Sequence, residues 1–273
     1  ANSSGCTSSN SAGIVINTQP PAASAPAVGT IAHPSCAVPS GSVDLSGLPA
    51  TGTWTLIRTP GAVTTTGTGT STTITGLAAG TYTYTVSNSF GCTSIASANV
   101  VINAQPATPA APAAGTITQP TCAVATGAVV LNGLPASGTW TLTRTPGAVT
   151  ITGTGTSTTI TGLAAGTYNF TVSNTAGCNS VSSANIIINT QPATPSSATV
   201  GSITQPTCAS ATGTVIFSGF PATGTWTLTR SPGAVATTGT GTSTTINGLS
   251  AGTYTYTVTN ASGCISAISA NVI

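Results

Sequence analysis

The sequence predicts an all-β chain built as an extended rod of tandem immunoglobulin-like β-sandwich domains of about seven strands each. Three observations carry that expectation. Seven cysteines fall on two ladders with a common step, Cys6, Cys92, Cys178 and Cys264 on one and Cys36, Cys122 and Cys208 on the other, each 86 residues from the next. The segments GTWTL, PGAV, TGTGTSTT and AGTY return in the same register. Within one period, short runs alternating apolar and polar residues are separated by Gly, Pro and Asn, the pattern of half-buried strands joined by tight turns.

Residues 29–114 and 115–200 are about 70% identical, and 201–273 follows the same template. Residues 1–28 match 87–114. The reading is therefore the last strand and linker of a preceding repeat (1–28) followed by three repeats (29–114, 115–200 and 201–273), the whole being a window on a longer polypeptide. A free N-terminal strand donated to a neighbouring subunit is the alternative. It is weakened by the segment ISANVI at the other end, which supplies most of the last repeat's own final strand.

In the second repeat the pattern places strands near 116–119, 127–132, 138–144, 149–153, 157–161, 167–173 and 183–189. Pro146 and Gly147 follow Arg144 as a type II turn requires, Pro supplying φ near −65° and Gly the positive φ, and the turn returns at Pro60 and Pro232. Trp54, Trp140 and Trp226 fall in the third strand, where packing into the core outweighs a carbohydrate-stacking role. Tyr82, Tyr168 and Tyr254 follow a Gly-Leu-x-Ala-Gly-Thr lead-in and read as tyrosine corners.

The first cysteine of each repeat opens the first strand and the second lies in the turn between the last two. Taking those places to share one end of the sandwich pairs Cys36 with Cys92, Cys122 with Cys178 and Cys208 with Cys264, and leaves Cys6 unpaired. Each such bridge would stabilise its domain by about 4 kcal/mol in the chain-entropy model, and implies an oxidising, extracellular setting. The linkers NAQPATPAAPAAGTITQP and NTQPATPSSATVGSITQP carry closely spaced prolines that favour semi-rigid polyproline spacers.

Only Asp44, Arg58, Arg144 and Arg230 are charged at neutral pH, and the chain has no Lys, Glu or Met. Soluble proteins carry about a quarter charged residues, so a surface of Thr, Ser, Asn, Gly and Ala suits a chain that associates or is covered by glycans. One carboxylate and one imidazole, Asp44 and His33, are too few for acid–base catalysis or for a calcium cage, so no enzyme, metal or cofactor is expected. Three arginines make no basic stripe for nucleic acid, and no apolar run reaches the roughly 18 residues of a membrane span.

Arg58, Arg144 and Arg230 repeat at the end of the third strand. They are candidates for inter-chain contacts through the guanidinium fork, against the plainer role of edge charges that discourage wrong strand pairing. The Thr-rich runs at 64–75, 151–161 and 237–247 suit strands by β-branching, while offering O-glycan acceptors. Asn2, Asn169 and Asn260 lie in N-glycosylation sequons. An ordered threonine array binding ice is a remote third option, because twisted strands make a poor flat template.

The strings QPTCAVATGAVVLNGL and GLAAGTYNFTVSNTAGC resemble the repeats of large surface adhesins of Bacteroidetes, the SprB-repeat family of gliding-motility and type IX-secreted proteins. Those repeats carry more acidic residues and a Pro-Tyr-x-x-x-Trp segment where this chain has GTWTL. The resemblance implies a bacterial cell-surface protein, filament-like or adhesive. Composition and repetition together point to an extracellular filament or stalk whose partners are copies of itself, with glycans as a further candidate. The alternative is an adhesin or carbohydrate-binding repeat array.

Overall fold

The structure, a computed structural model, describes residues 1–273 and contains strands but no helix. In the first period the strands are β1 (Ala27–Ala32), β2 (Gly41–Ser46), β3 (Trp54–Thr59), β4 (Val63–Gly67), β5 (Ser71–Leu77), β6 (Gly80–Ser87) and β7 (Val100–Ile102). They form two antiparallel sheets, β1-β2-β5 and β4-β3-β6-β7. The second period repeats this with β8 (Ala113–Thr118), β9 (Gly127–Asn132), β10 (Trp140–Thr145), β11 (Val149–Gly153), β12 (Ser157–Leu163), β13 (Gly166–Ser173) and β14 (Ile186–Ile188). In the third, β15 (Thr199–Thr204), β16 (Gly213–Ser218), β17 (Trp226–Ser231), β18 (Val235–Gly239), β19 (Ser243–Leu249) and β20 (Thr255–Asn260) make the same two sheets. There a single bridge from Val272 to Tyr254 takes the place of the seventh strand.

These are tandem immunoglobulin-like sandwiches. The fourth strand of each pairs with the third rather than joining the sheet of the first, second and fifth. Each period builds its own core. In the first, Val43, Leu45, Leu56, Leu77, Val86 and Ile102 pack around Trp54, and equivalent residues surround Trp140 and Trp226. Alternation along β2 shows why: Val43 and Leu45 are buried whereas Asp44 between them is exposed, its Oδ1 accepting a 2.7 Å bond from the Thr73 hydroxyl.

The chain divides into two compact units, Ala1–Thr108 with Ala176–Cys178, and Pro109–Thr175 with Asn179–Ile273. The first contains the first period. The second contains nearly all of the second and third.

Each tryptophan is 2% exposed, and its indole N–H donates to the carbonyl of Gly69, Gly155 or Gly241 at 2.7–2.8 Å. The six-membered ring lies against the glycine paired with it across the hairpin, Gly67, Gly153 or Gly239, where a Cβ would meet Cη2 and Cζ2. The turn joining β3 to β4 differs from the expected type II. Arg58 pairs with Val63, so four residues rather than two close the hairpin. Thr59–Pro60 is cis, and Gly61 and Ala62 both take positive φ, +100° and +47°. The same geometry recurs at Pro146 and Pro232.

A Cβ on Gly153 would stand 2.4 Å from Trp140 Cη2, which cannot retreat because its other face is core. Gly153→Ala is expected to destabilise the second repeat by about 1–3 kcal/mol, measured as a lowered denaturation midpoint with unchanged slope.

Candidate functional site

No three His, Cys, Asp or Glu side chains gather where they could hold a metal ion, and the feature on which the most repeated residues converge is the joint at which one repeat is bonded to the next. Strand parity sets it up. Cys36 lies in the loop between β1 and β2, at the end of the sandwich where Gly41 pairs with Leu77 and Gly80 opens β6 opposite Ile102. Cys92 follows the far end of β6. Eight residues of β6 carry the chain about 26 Å, well beyond the roughly 7 Å that a disulfide spans between α-carbons.

The expected pairs Cys36–Cys92, Cys122–Cys178 and Cys208–Cys264 are therefore wrong. The first cysteine follows the first strand rather than opening it, so one odd strand separates the two cysteines' ends. The bonds formed are Cys36–Cys178 and Cys122–Cys264, each with a sequence separation of 142 and Cα atoms 5.3 and 5.5 Å apart. The first cysteine of one period is bonded to the second cysteine of the next. Cys6, Cys92 and Cys208 are free thiols.

The second unit shows the joint in full. The linker following β14 is held to the second repeat by Gln191, whose side-chain amide donates to the Cys122 carbonyl at 3.0 Å. Two residues later the third repeat takes over: Asn260 Nδ2 donates to the Ala193 carbonyl at 2.8 Å, and Cys264 Sγ lies 3.8 Å from the Pro192 carbonyl. Asn260 is itself fixed, because its Oδ1 accepts the amides of Ser262 and Cys264 at 3.0 Å. The linker is thus clamped from both sides, with the Cys122–Cys264 bridge closing the clamp. Within the first unit, Gln105 donates likewise to the carbonyls of Ser35 and Cys36, and Asn88 to that of Pro21.

A second device fastens the segment after each second cysteine. The hydroxyls of Ser94 and Ser97 accept the amides of Val86 and Tyr84 at 3.0 Å, and their own amides donate to the same residues' carbonyls. Ser180 and Ser183, then Ser266 and Ser269, repeat this. Sequence reasoning missed these serines and the clamping Gln and Asn. The signal was present, since serines stand two and five residues after every second-type cysteine.

The tyrosine corners have the expected bonds: Tyr82, Tyr168 and Tyr254 donate at 3.0 Å to the carbonyls of Ala78, Ala164 and Ser250. The faces of their rings are taken by the repeating arginines, with Arg58, Arg144 and Arg230 Cζ at 5.1, 5.4 and 5.1 Å from the centroids. That contact offsets the desolvation of each Nε, which is buried without a hydrogen-bond partner. Only the outer guanidinium nitrogens remain for another chain. Of the sequon asparagines, Asn2 sits in an exposed turn, Asn169 Nδ2 donates to Asn185 Oδ1, and a glycan on Asn260 would have to share its nitrogen with the clamp. His33 Nδ1 accepts the Asn103 amide at 3.3 Å, where the Gln119 side chain in the next period bonds Asn189 and Ile187.

Fold and joint define a class: a repeat protein of tandem immunoglobulin-like domains cross-linked domain to domain by disulfides, as suits a secreted or extracellular chain. No helix is long and apolar enough to cross a membrane. No family model matches the chain, and no curated protein matches it. Among solved structures, the FN1–FN3 domains of chicken CNTN1 match 93% of this chain and 98% of theirs at 12% identity and a TM-score of 0.32. The ligand-binding domain of human OSCAR matches 61% of this chain and 100% of its own at 13% identity and a TM-score of 0.27.

Two outcomes are expected. Because each core is complete without the bridges, reduction with dithiothreitol should leave the near-ultraviolet circular dichroism of the buried tryptophans unchanged while elastase cuts the 190–197 linker several-fold faster. Tyr84 and Tyr256 have raised pKa values because burial disfavours their phenolates, with Arg58 and Arg230 opposing the shift. Below about pH 10 both states are neutral and stability is whole. As pH rises further the unfolded chain ionises first, so stability falls until the raised folded value is passed. Urea unfolding at pH 9 and 11 should show this loss, and Tyr84→Phe should flatten it for the first repeat, as Phe170 already does for the second.

Proposed function

We propose that the chain is a structural element of an extracellular filament or stalk on a cell surface, in which the covalently locked array provides length and its copies associate through nearly uncharged Thr- and Ser-rich surfaces. The observation that carries this reading is the joint. A bond inside a domain stabilises that domain, whereas a bond from each domain to the next resists separation of the array under load. Clamped linkers suit the same purpose, since a chain meant to present independent binding modules gains from free hinges.

The surface supports association. With one Asp and three Arg in 273 residues, no long-range repulsion opposes contact between copies. The outward faces of β4, β5, β11, β12, β18 and β19 present threonine hydroxyls at most of the same positions in every period, Ala236 and Asn247 being the exceptions in the third. The resemblance to surface-adhesin repeats agrees with such a location. These hydroxyls are also the glycan acceptors the sequence offers.

One observation favours the adhesin reading instead. The loop that carries each second cysteine and the segment that follows it vary between periods and expose Phe90, Ile95, Val181, Ile265 and Ile268, a surface suited to contact with a foreign ligand. Electron microscopy of the native material separates the two. Rods packed side by side, with contacts that persist from 0.01 to about 1 M salt because few charges are there to be screened, are expected for the filament. Separate strings that do not touch, together with retention on a glycan array, would transfer the assignment to the adhesin.

A further inference from the structure

The two disulfides shorten the covalent path through the repeats. Cys36 bonds Cys178 and Cys122 bonds Cys264, each across a sequence separation of 142. Residues 37–177 are thereby enclosed in one covalent loop and residues 123–263 in another. The first loop holds every strand from β2 to β13, and with them Trp54, Trp140 and most of the cores of two repeats. A pull that enters the chain before Cys36 and leaves it after Cys178 crosses one sulfur–sulfur bond and never stretches that loop, because a chain drawn taut carries tension along its shortest covalent route.

The part of the route that is stretched is the segment after Cys178, and it is fastened along its whole length. Ser180 exchanges two hydrogen bonds with Val172, and Ser183 two with Phe170. Ile186, Ile187 and Ile188 then pair with Tyr168, Thr167 and Gly166, and Gln191 and Asn260 hold the linker. The segment is also nearly straight. From Ser180 to Ile188 it runs along β13 from Val172 to Gly166, about 20 Å of the roughly 28 Å that eight residue steps can span. Pro192 and Pro195 favour extended backbone beyond it, and β15 is a strand. Such a route has little length to release, whereas a sandwich stores length in its folds.

We propose that tension in this protein is carried by the segments that run from a second cysteine through the linker to the next first strand, joined by the inter-repeat disulfides, while the sandwiches hang unloaded inside the covalent loops. The assignment rests on the filament reading and deepens it by naming what bears the pull. Tension arriving through residues 92–122 crosses from Cys122 to Cys264 in the same way. Two routes offset by one period therefore run side by side, and strands β9 to β13 lie inside both loops. Bonds within each repeat would also spare the sandwiches, but along a single route about twice as long.

The difference is measurable with the full chain held in optical tweezers by azide-bearing side chains in place of Thr30 and Ser202, exposed residues at the same bulge of β1 and β15. Through Cys36–Cys178 the route comprises residues 30–36 and 178–202, so extension is expected to stop at about 110 Å with no step that opens a sandwich. The Cys36→Ser, Cys178→Ser chain, checked for unchanged near-ultraviolet circular dichroism, should lengthen through residues 30–122 and 202–264 to about 550 Å, in steps as sandwiches open. Dithiothreitol added to the native chain under load should release the same kind of steps, which keeps the test independent of how the double variant folds. A native chain that passes about 200 Å, the range reached by bonds within repeats, or a reduced chain that stops where the oxidised one does, would overturn the proposal. Packed rods in electron micrographs of a chain that passes that length would leave the filament reading standing without this route. A limit near 110 Å in chains that stay apart would keep the route and refute the filament.

Discussion

A disulfide joins α-carbons no more than about 7 Å apart, whereas an eight-residue strand moves the chain about 26 Å. The organisation of this protein depends on that mismatch. Each repeat carries one cysteine at either end of its sandwich, so the two can never meet. Each must look outward, and in the order of the array the partner it finds belongs to the adjacent repeat. The linker, the clamping Gln and Asn and the loop around each second cysteine are all arranged about that bond.

Stability and connection are thereby separated. The sandwiches are held by their own cores, by a tryptophan ring pressed on a glycine and by a tyrosine corner capped with an arginine. The serine hydroxyls accept amides that an irregular last strand would otherwise leave bare in the interior, where each unmade bond costs about 1–3 kcal/mol. None of these interactions uses the disulfides. The bridges join one repeat to the next, and each repeat keeps a core of its own.

Repetition explains the chemistry as well. The Thr-rich strands change little between periods, while substitutions gather in the second strand, in the loop and segment around each second cysteine and in the linker. Nearly constant hydroxyl faces with almost no charge are what the proposed contacts between copies would use. The arginines, which read as free edge groups in a linear sequence, turn out to spend their faces on their own tyrosines.

The sequence by itself determined the period, the seven short strands, the buried tryptophans and the tyrosine corners. These depend on local alternation, turn residues and register, all written along the chain. It did not determine which cysteines meet, because that turns on which end of a strand each loop occupies. Miscounting one strand reverses the answer. Nor did it show that Gln191 and Asn260 hold one linker from two sides, since their partners lie 69 and 67 residues away. The hairpin at Pro60 escaped for a related reason: the pairing of Arg58 with Val63, set by the sheet, decides how many residues the turn must contain. Contacts between residues near in sequence could be read directly, whereas those created by bringing one repeat against the next existed only once the tertiary structure had placed both.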